Sequence, residues 1–471
     1  MNVKSILFLI LTLFGCLTEA FAYKIKVKIT GYEKDTLLLG YHYGEKQYIR
    51  DTAVSKNGEF VFKGDTVLEQ GMYLIVLKPN HEYFQILVDD KQDFTIETNI
   101  KELNQNLKFK GSKLNQDFKD YIQFIANKRI FADSLSKRQK VSNDAKELED
   151  LSKQLTNIDS EVKAYQLKIQ KEQENSLLSL IISWSRDIDI PEFQGNKDEK
   201  DEQAFRYYKA HYFDLVNLKD NRSVRLPLFS QKIDQYVNKL TFQIPDSINE
   251  ALSLILSKCD PKGDNFKYIL SNSLNVYANS KYIGMDGVYV YLVENYYGKG
   301  LAPWIDKENL AKMTQDAKAL KPLLIDKIAP DITVYKKDST PVSIHSIKSK
   351  YVVLLFWAPD CGHCKQAMHH VVKFQEDFKS KGVEVVAICS KTGADEKTCW
   401  EGVEQLKMQN FLNLSDPNPY TRFKLTYDLK TTPQIYILDS DKRILSKKIA
   451  AEQLGEVMEK LIKYKENETK Q

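Results

Sequence analysis

The chain has 471 residues, enough for about three folded units with buried cores. Its 68 Lys and Arg against 64 Asp and Glu leave a formal charge of +4, spread along the chain rather than gathered into a basic arm or stripe. That distribution excludes nucleic acid as the default partner.

The opening MNVKSILFLILTLFGCLTEAFA has a basic start at Lys4, an apolar stretch from Ile6 to Phe14 and small residues at Ala20 and Ala22. It reads as a secretory signal peptide over 1–22, cut after Ala22. A second reading takes the small residue before Cys16 in LFGC as a lipoprotein signal with lipid anchoring at that cysteine, and a third keeps the segment as an uncleaved anchor. After residue 22 no run approaches the ~18 continuous apolar residues of a membrane helix. Cleavage and lipidation both place the mature chain in the periplasm or cell envelope, where a disulfide can persist.

From Tyr23 to about Lys110 short alternating runs (YKIKVKI, EFVFKG, GMYLIVL, DFTIET) are separated by turn residues such as KNGE and KPNHE. This predicts a β-rich, sandwich-like all-β domain over 23–112. His42 and His81 stand alone within it and are expected as surface or loop residues. A helical domain is predicted over 113–325. Leu148, Leu151, Leu155, Ile158, Val162, Tyr165 and Ile169 form a heptad seam. One reading is a helical hairpin with the segment near Phe118 to Phe131, the other a homodimer through 148–169. SLLSLIISW is expected to continue that helix, NKDEKDEQ to be a charged loop, and amphipathic helices to run on to Leu320.

Pro322 and Pro330 mark the next boundary. Over 326–471 a buried strand (SKYVVLLFWA), a helix from Cys364, a second strand (VEVVAICS), a helix near Trp400, a strand pair (PQIYILDSDKRILSKKIA) and a closing helix predict an α/β domain. Within it, Cys361 directly follows the buried strand and Cys364 lies on the first turn of the next helix. Backbone N–H groups and the helix dipole favour a thiolate at Cys361, making it the nucleophile that Cys364 resolves. His363 can stabilise that thiolate and tilt the pair toward oxidation. A structural disulfide and a metal site are the competing readings, but zinc needs four ligands and no second Cys-x-x-C exists. Cys389 and Cys399, ten residues apart, are either an accessory disulfide or two buried thiols. Cys259 is expected to be buried and inert.

FWAPDCGHCK and, about seventy residues on, KTTPQIYILD resemble the thioredoxin-like family, in its extracytoplasmic thiol-disulfide oxidoreductase branch. The resemblance implies a thioredoxin-like C-terminal domain in which Pro433 is cis and faces the active cysteine, while Thr432 and Trp357 contact a substrate strand. No cofactor is expected, and the strand-turn-helix context together with Pro433 argues against a metal at the cysteine pair. Two positions depart from the family: Asp360 stands where tryptophan usually precedes the first cysteine, and Ala367 where cytochrome-maturing reductases often carry an acid. His369 and Asp360 are alternative proton carriers. Residues 23–325 resemble uncharacterised β-rich and helical domains that precede such domains in Bacteroidetes envelope proteins.

The expected function is disulfide exchange with protein substrates bearing cysteines or disulfides, recharged by a membrane-linked thiol electron donor or acceptor. The alternative is an envelope binding protein whose N-terminal modules capture a peptide or glycan. A thiol peroxidase fits less well, because FWAPD replaces the proline and threonine expected before a peroxidatic cysteine.

Overall fold

The structure is a computed structural model that describes residues 21–417 and 421–468. The candidate leader as far as residue 20, including Cys16, lies outside the described residues. The chain divides into two compact units, Met1–Tyr236 and Val237–Gln471. The central segment, expected as one helical domain over 113–325, contributes helices to both.

In the first unit the alternating runs form β1 (Tyr23–Thr30), β2 (Thr36–Tyr43), β3 (Lys46–Val54), β4 (Glu59–Gly64), β5 (Gly71–Leu77), β6 (Tyr83–Val88), β7 (Asp93–Asn99) and β8 (Lys108–Lys110). They build two four-stranded sheets, ordered β4-β1-β7-β8 and β3-β2-β5-β6. Every pairing is antiparallel except β1 with β7. Period-two burial puts Ile25, Val27, Leu39, Phe60, Phe62, Ile75, Phe84 and Ile96 into one shared core, so the sandwich expectation is met. His81 sits in a turn with a left-handed φ of 57° and is exposed. His42 corrects the surface expectation: it is buried, because the turn Asn221–Arg225 packs on β2 and Gly44 N–H donates to the Val224 carbonyl at 2.7 Å. Desolvation lowers its pKa and favours the neutral imidazole.

The helices of this unit are α1 (Lys113–Val141), α2 (Ala145–Glu172), α3 (Leu177–Ser185) and α4 (Lys197–His211), followed by α5 (Pro227–Asn238), which crosses into the second unit. The heptad seam packs within the chain. Tyr165 lies 4.3 Å from the Phe124 ring, Gln166 donates to Tyr121 Oη at 3.1 Å, and Arg138 pairs with Glu147 at 2.7 Å, so α1 and α2 form an antiparallel hairpin. Two expectations fail here for one reason, helix capping. Ser176 accepts the Ser179 N–H and starts α3 as a separate, almost wholly buried helix. NKDEKDEQ is not a loop: Asn196 and Glu199 form a capping box, and the charged run is the solvated first half of α4.

The second unit begins with α6 (Pro245–Ser257), α7 (Asp264–Ala278), α8 (Asp286–Leu292), which runs into a π turn over Val293–Tyr297, and α9 (Lys307–Leu320). A short pair, β9 (Thr333–Tyr335) and β10 (Pro341–Ser343), leads to β11 (Tyr351–Trp357), α10 (Gly362–Phe378), β12 (Val383–Cys389), α11 (Lys397–Gln405), β13 (Leu412–Leu414), α12 (Phe423–Thr426), β14 (Gln434–Asp439), β15 (Ile444–Lys447) and α13 (Leu454–Glu468). The sheet order is β13-β12-β11-β14-β15, with β11 parallel to β12 and antiparallel to β14. All seven residues of the central strand β11 are buried because both faces are covered. Val353, Leu355 and Trp357 meet Met368, Val371 and Phe374 of α10 and Met458 of α13. Val352, Leu354 and Phe356 meet Val334, Phe423 and Tyr427. That packing fixes the C-terminal end of β11, where the cysteine pair begins.

Candidate active site

Ser390 N–H donates to the Trp357 carbonyl at 2.8 Å, holding the ends of β12 and β11 together. The chain then turns through Ala358, Pro359 and Asp360, and Cys361 takes the N-cap of α10 with extended φ −81° and ψ 113°. Its Sγ accepts the Cys364 N–H at 3.1 Å, the place a serine or aspartate oxygen takes in an ordinary cap. Its thiol donates to the Thr432 carbonyl at 3.2 Å. The Thr432–Pro433 peptide is cis and both residues are half-buried, so Pro433 lies beside the Cys361 sulfur across a break of some seventy residues in sequence.

The two thiols are electrostatically unlike. At Cys361 burial works against the thiolate, but hydrogen bonds from the Cys364 thiol, from the Thr432 side chain and from the Cys364 and His363 N–H groups outweigh it, and its pKa is lowered. Cys364 is fully buried, and desolvation, with the neighbouring Cys361, pushes it up to about 12. One sulfur is accessible and acidic; the other is enclosed and protonated.

The expected neighbours fall differently. The His363 ring is exposed, and this position acts on Cys361 through its backbone N–H. Trp357 is a correction: its ring is 1% exposed and packed against α11, so it belongs to the core and offers no face to a substrate strand. Ala367 is also core. The Asp360 carboxylate pairs with Lys391 at 2.6 Å, and this hydrogen bond holds it below the usual carboxylate range. His369 is exposed, and His370 lies 3.9 Å from Glu452 on the helix surface. Among the described residues no three His, Cys, Asp or Glu side chains cluster as a metal site.

The strand carrying Pro433 is fixed by a buried network. Gln434 Nε2 donates to the Tyr427 carbonyl at 3.1 Å and to Tyr436 Oη at 2.8 Å, Tyr436 Oη donates to the same carbonyl, and Tyr427 Oη donates to the Pro330 carbonyl at 2.6 Å. Cys389 and Cys399 form a disulfide joining the end of β12 to α11, both sulfurs buried beside Trp357. Cys259 is buried, its thiol donates to the Ile255 carbonyl, and burial pushes it up to about 12, an inert state. Sequence reasoning missed Lys391. The signal was available in principle, since parallel β11 and β12 bring the residues after both strands to one end of the sheet.

The Redoxin family matches residues 325–462. Two families described as domains of unknown function, DUF4369 and DUF5106, match 23–118 and 140–321. A Bacillus cereus protein named Thiol-disulfide oxidoreductase ResA is 27% identical over 141 residues, which cover 29% of this chain and 75% of that one. An Oceanobacillus iheyensis protein of the same name is 37% identical over 51 residues, 11% of this chain and 27% of its own. Among solved structures, a thioredoxin-like protein from Bacteroides caccae aligns at 19% identity and a TM-score of 0.44, over 58% of this chain and 98% of its own. The C-terminal domain belongs to the thioredoxin-like family, behind additional N-terminal domains. Its activity class is thiol-disulfide oxidoreductase.

Proposed function

We propose that this protein exchanges disulfides with cysteine-bearing protein substrates outside the cytoplasm, through Cys361, Gly362, His363 and Cys364 with Pro433 alongside. The observation that carries this reading is the asymmetry of the two thiols, Cys361 half-buried with a lowered pKa and Cys364 enclosed and pushed up to about 12. The Cys361 thiolate attacks one sulfur of a substrate disulfide, that S–S bond breaks, and the departing thiolate takes a proton. Cys364 then loses its proton and attacks Cys361, which releases the second substrate thiol and leaves Cys361–Cys364 oxidised. A thiol donor of the envelope, membrane-linked in our reading, returns the pair to the dithiol.

Hydrogen bonds that stabilise the Cys361 thiolate stabilise the dithiol state and tilt the couple toward the oxidising side. Thr432 supports a role in seating substrate: its residue neighbours the sulfur, and Pro433 has no N–H to compete for a strand laid across it. Location outside the cytoplasm is supported by the leader pattern before Ala22 and by the Cys389–Cys399 disulfide, which cytosolic reductants oppose. Among the described residues no helix is long and apolar enough to cross a membrane.

Insulin-disulfide reduction with a thiol donor tests the assignment. Cys361→Ser is expected to abolish turnover, and Cys364→Ser to accumulate a covalent mixed disulfide at Cys361. Turnover that persists in Cys361→Ser rules out Cys361 as nucleophile.

A further inference from the structure

A second feature lies in the first unit, on the edge of the sheet β3-β2-β5-β6. β6 ends that sheet, and among the described residues no strand pairs beyond it. Along an antiparallel pair, residues alternate between turning both backbone groups toward the neighbour and turning both away. Two observations fix the phase. Leu77 N–H donates to the Glu82 carbonyl at 2.8 Å, which directs Phe84 and Ile86 at β5. Leu87, in the opposite phase, turns both groups outward to the Asn115 side chain: its N–H donates to Oδ1 at 2.7 Å, and its carbonyl accepts from Nδ2 at 2.7 Å.

Tyr83 and Gln85 share the phase of Leu87. Their N–H and carbonyl groups therefore face out of the sheet, and among the described residues no side chain or loop hydrogen-bonds them. They open on a cavity of about 300 Å³, walled on its other sides by Phe118, Lys119, Ile122 and Gln123 of α1 and by Asn104, Leu107 and Phe109, a mixed polar and apolar lining. Tyr83 and Ile122, 47% and 46% exposed, stand at the rim.

Asn115 shows which chemistry this edge accepts. It is fully buried, held by Ser112 Oγ at 2.9 Å, and its carboxamide stands where the peptide group of a further strand would stand. Two and four residues along, the equivalent places are open, with Phe118, Ile122, Leu107 and Phe109 beside Asn104, Lys119 and Gln123 around them. We propose that the β6 edge docks an extended segment of unfolded polypeptide, added as a strand on the outward backbone groups of Tyr83 and Gln85, with alternate side chains entering the cavity. Such segments are exposed in unfolded proteins, the form in which cysteines are accessible. This site is independent of the cysteine pair.

The probe is reduced, carboxamidomethylated α-lactalbumin, an unfolded polypeptide with neither free thiol nor disulfide, titrated into the full chain and read by fluorescence anisotropy. Gln85→Pro removes one outward N–H while leaving the bonds to β5, as edge proline does. Ile122→Lys puts a charge at the cavity mouth from an exposed helix position and remains informative if the proline variant misfolds. Each is expected to weaken binding about fivefold or more, the worth of one hydrogen bond or of the apolar contact, with unchanged circular dichroism. Three results would overturn the proposal: no binding by the native chain, native-strength binding by both variants, or self-association of the native chain that Gln85→Pro abolishes, which would make a second copy the occupant.

Discussion

At Cys361 the decisive quantity is a difference between opposing effects. Burial alone raises a thiol, but here the donors around the sulfur prevail, and the sign follows from their number rather than from any one of them. Iodoacetamide alkylation of Cys361 against pH should therefore have a midpoint below the ordinary ~8.5, while Cys364, pushed up to about 12, stays unlabelled through neutral pH. A midpoint at or above ~8.5 contradicts this balance. Asp360 is a negative charge one residue from that sulfur, and Lys391 neutralises it at 2.6 Å. Lys391→Ala is expected to move the Cys361 midpoint upward and slow exchange at pH 7 by up to about fivefold, the range open to an exposed ion pair. Asp360→Asn in the same chain should reverse the effect. A loss that Asp360→Asn does not reverse would mean that Lys391 acts by packing rather than by charge.

Elements that hold the site meet at Gly402 of α11. A Cβ there would come within 2.8 Å of the Trp357 ring and 3.0 Å of Pro359, so helix and strand approach at a distance only glycine allows. Gly402→Ala should cost about 1–3 kcal/mol in thermal unfolding and slow disulfide exchange, because Trp357 and Pro359 carry the turn into Cys361. Unchanged melting and turnover would show that α11 yields without cost. What was legible in the sequence follows from the range over which each signal acts. β11, the cysteines at the start of α10 and the β14–β15 pair are local patterns, and they stand where the pattern placed them. The Asn196 to Glu199 box is equally local and was readable, but the density of charge outweighed it. His42 was not readable as buried, since what covers it lies some 180 residues further along. Trp357 was misassigned because family likeness gives a position without giving the side chain's surroundings.

Across the second unit, α6 to α9 and the α/β sheet share a buried ion pair that neither motif nor composition announces. Lys447, on β15, is 3% exposed and donates to both the Asp286 carboxylate of α8 and the Leu323 carbonyl. Desolvation lowers the Lys447 pKa, and Asp286 opposes that shift. One carboxylate oxygen, Asp286 Oδ1, is buried without a further partner among the described residues, so the lysine is its principal compensation. Removing the cation alone strands that charge. Lys447→Met should therefore destabilise the chain by about 3–5 kcal/mol in denaturant unfolding, whereas Lys447→Met with Asp286→Leu should recover most of the loss. Lys447 stands opposite Tyr436, three residues beyond Pro433, so the single variant should also slow insulin reduction while the double variant restores it. If the two substitutions simply add, the pair contributes no coupling between the helices and the sheet, and the helices are held to it by apolar contacts alone.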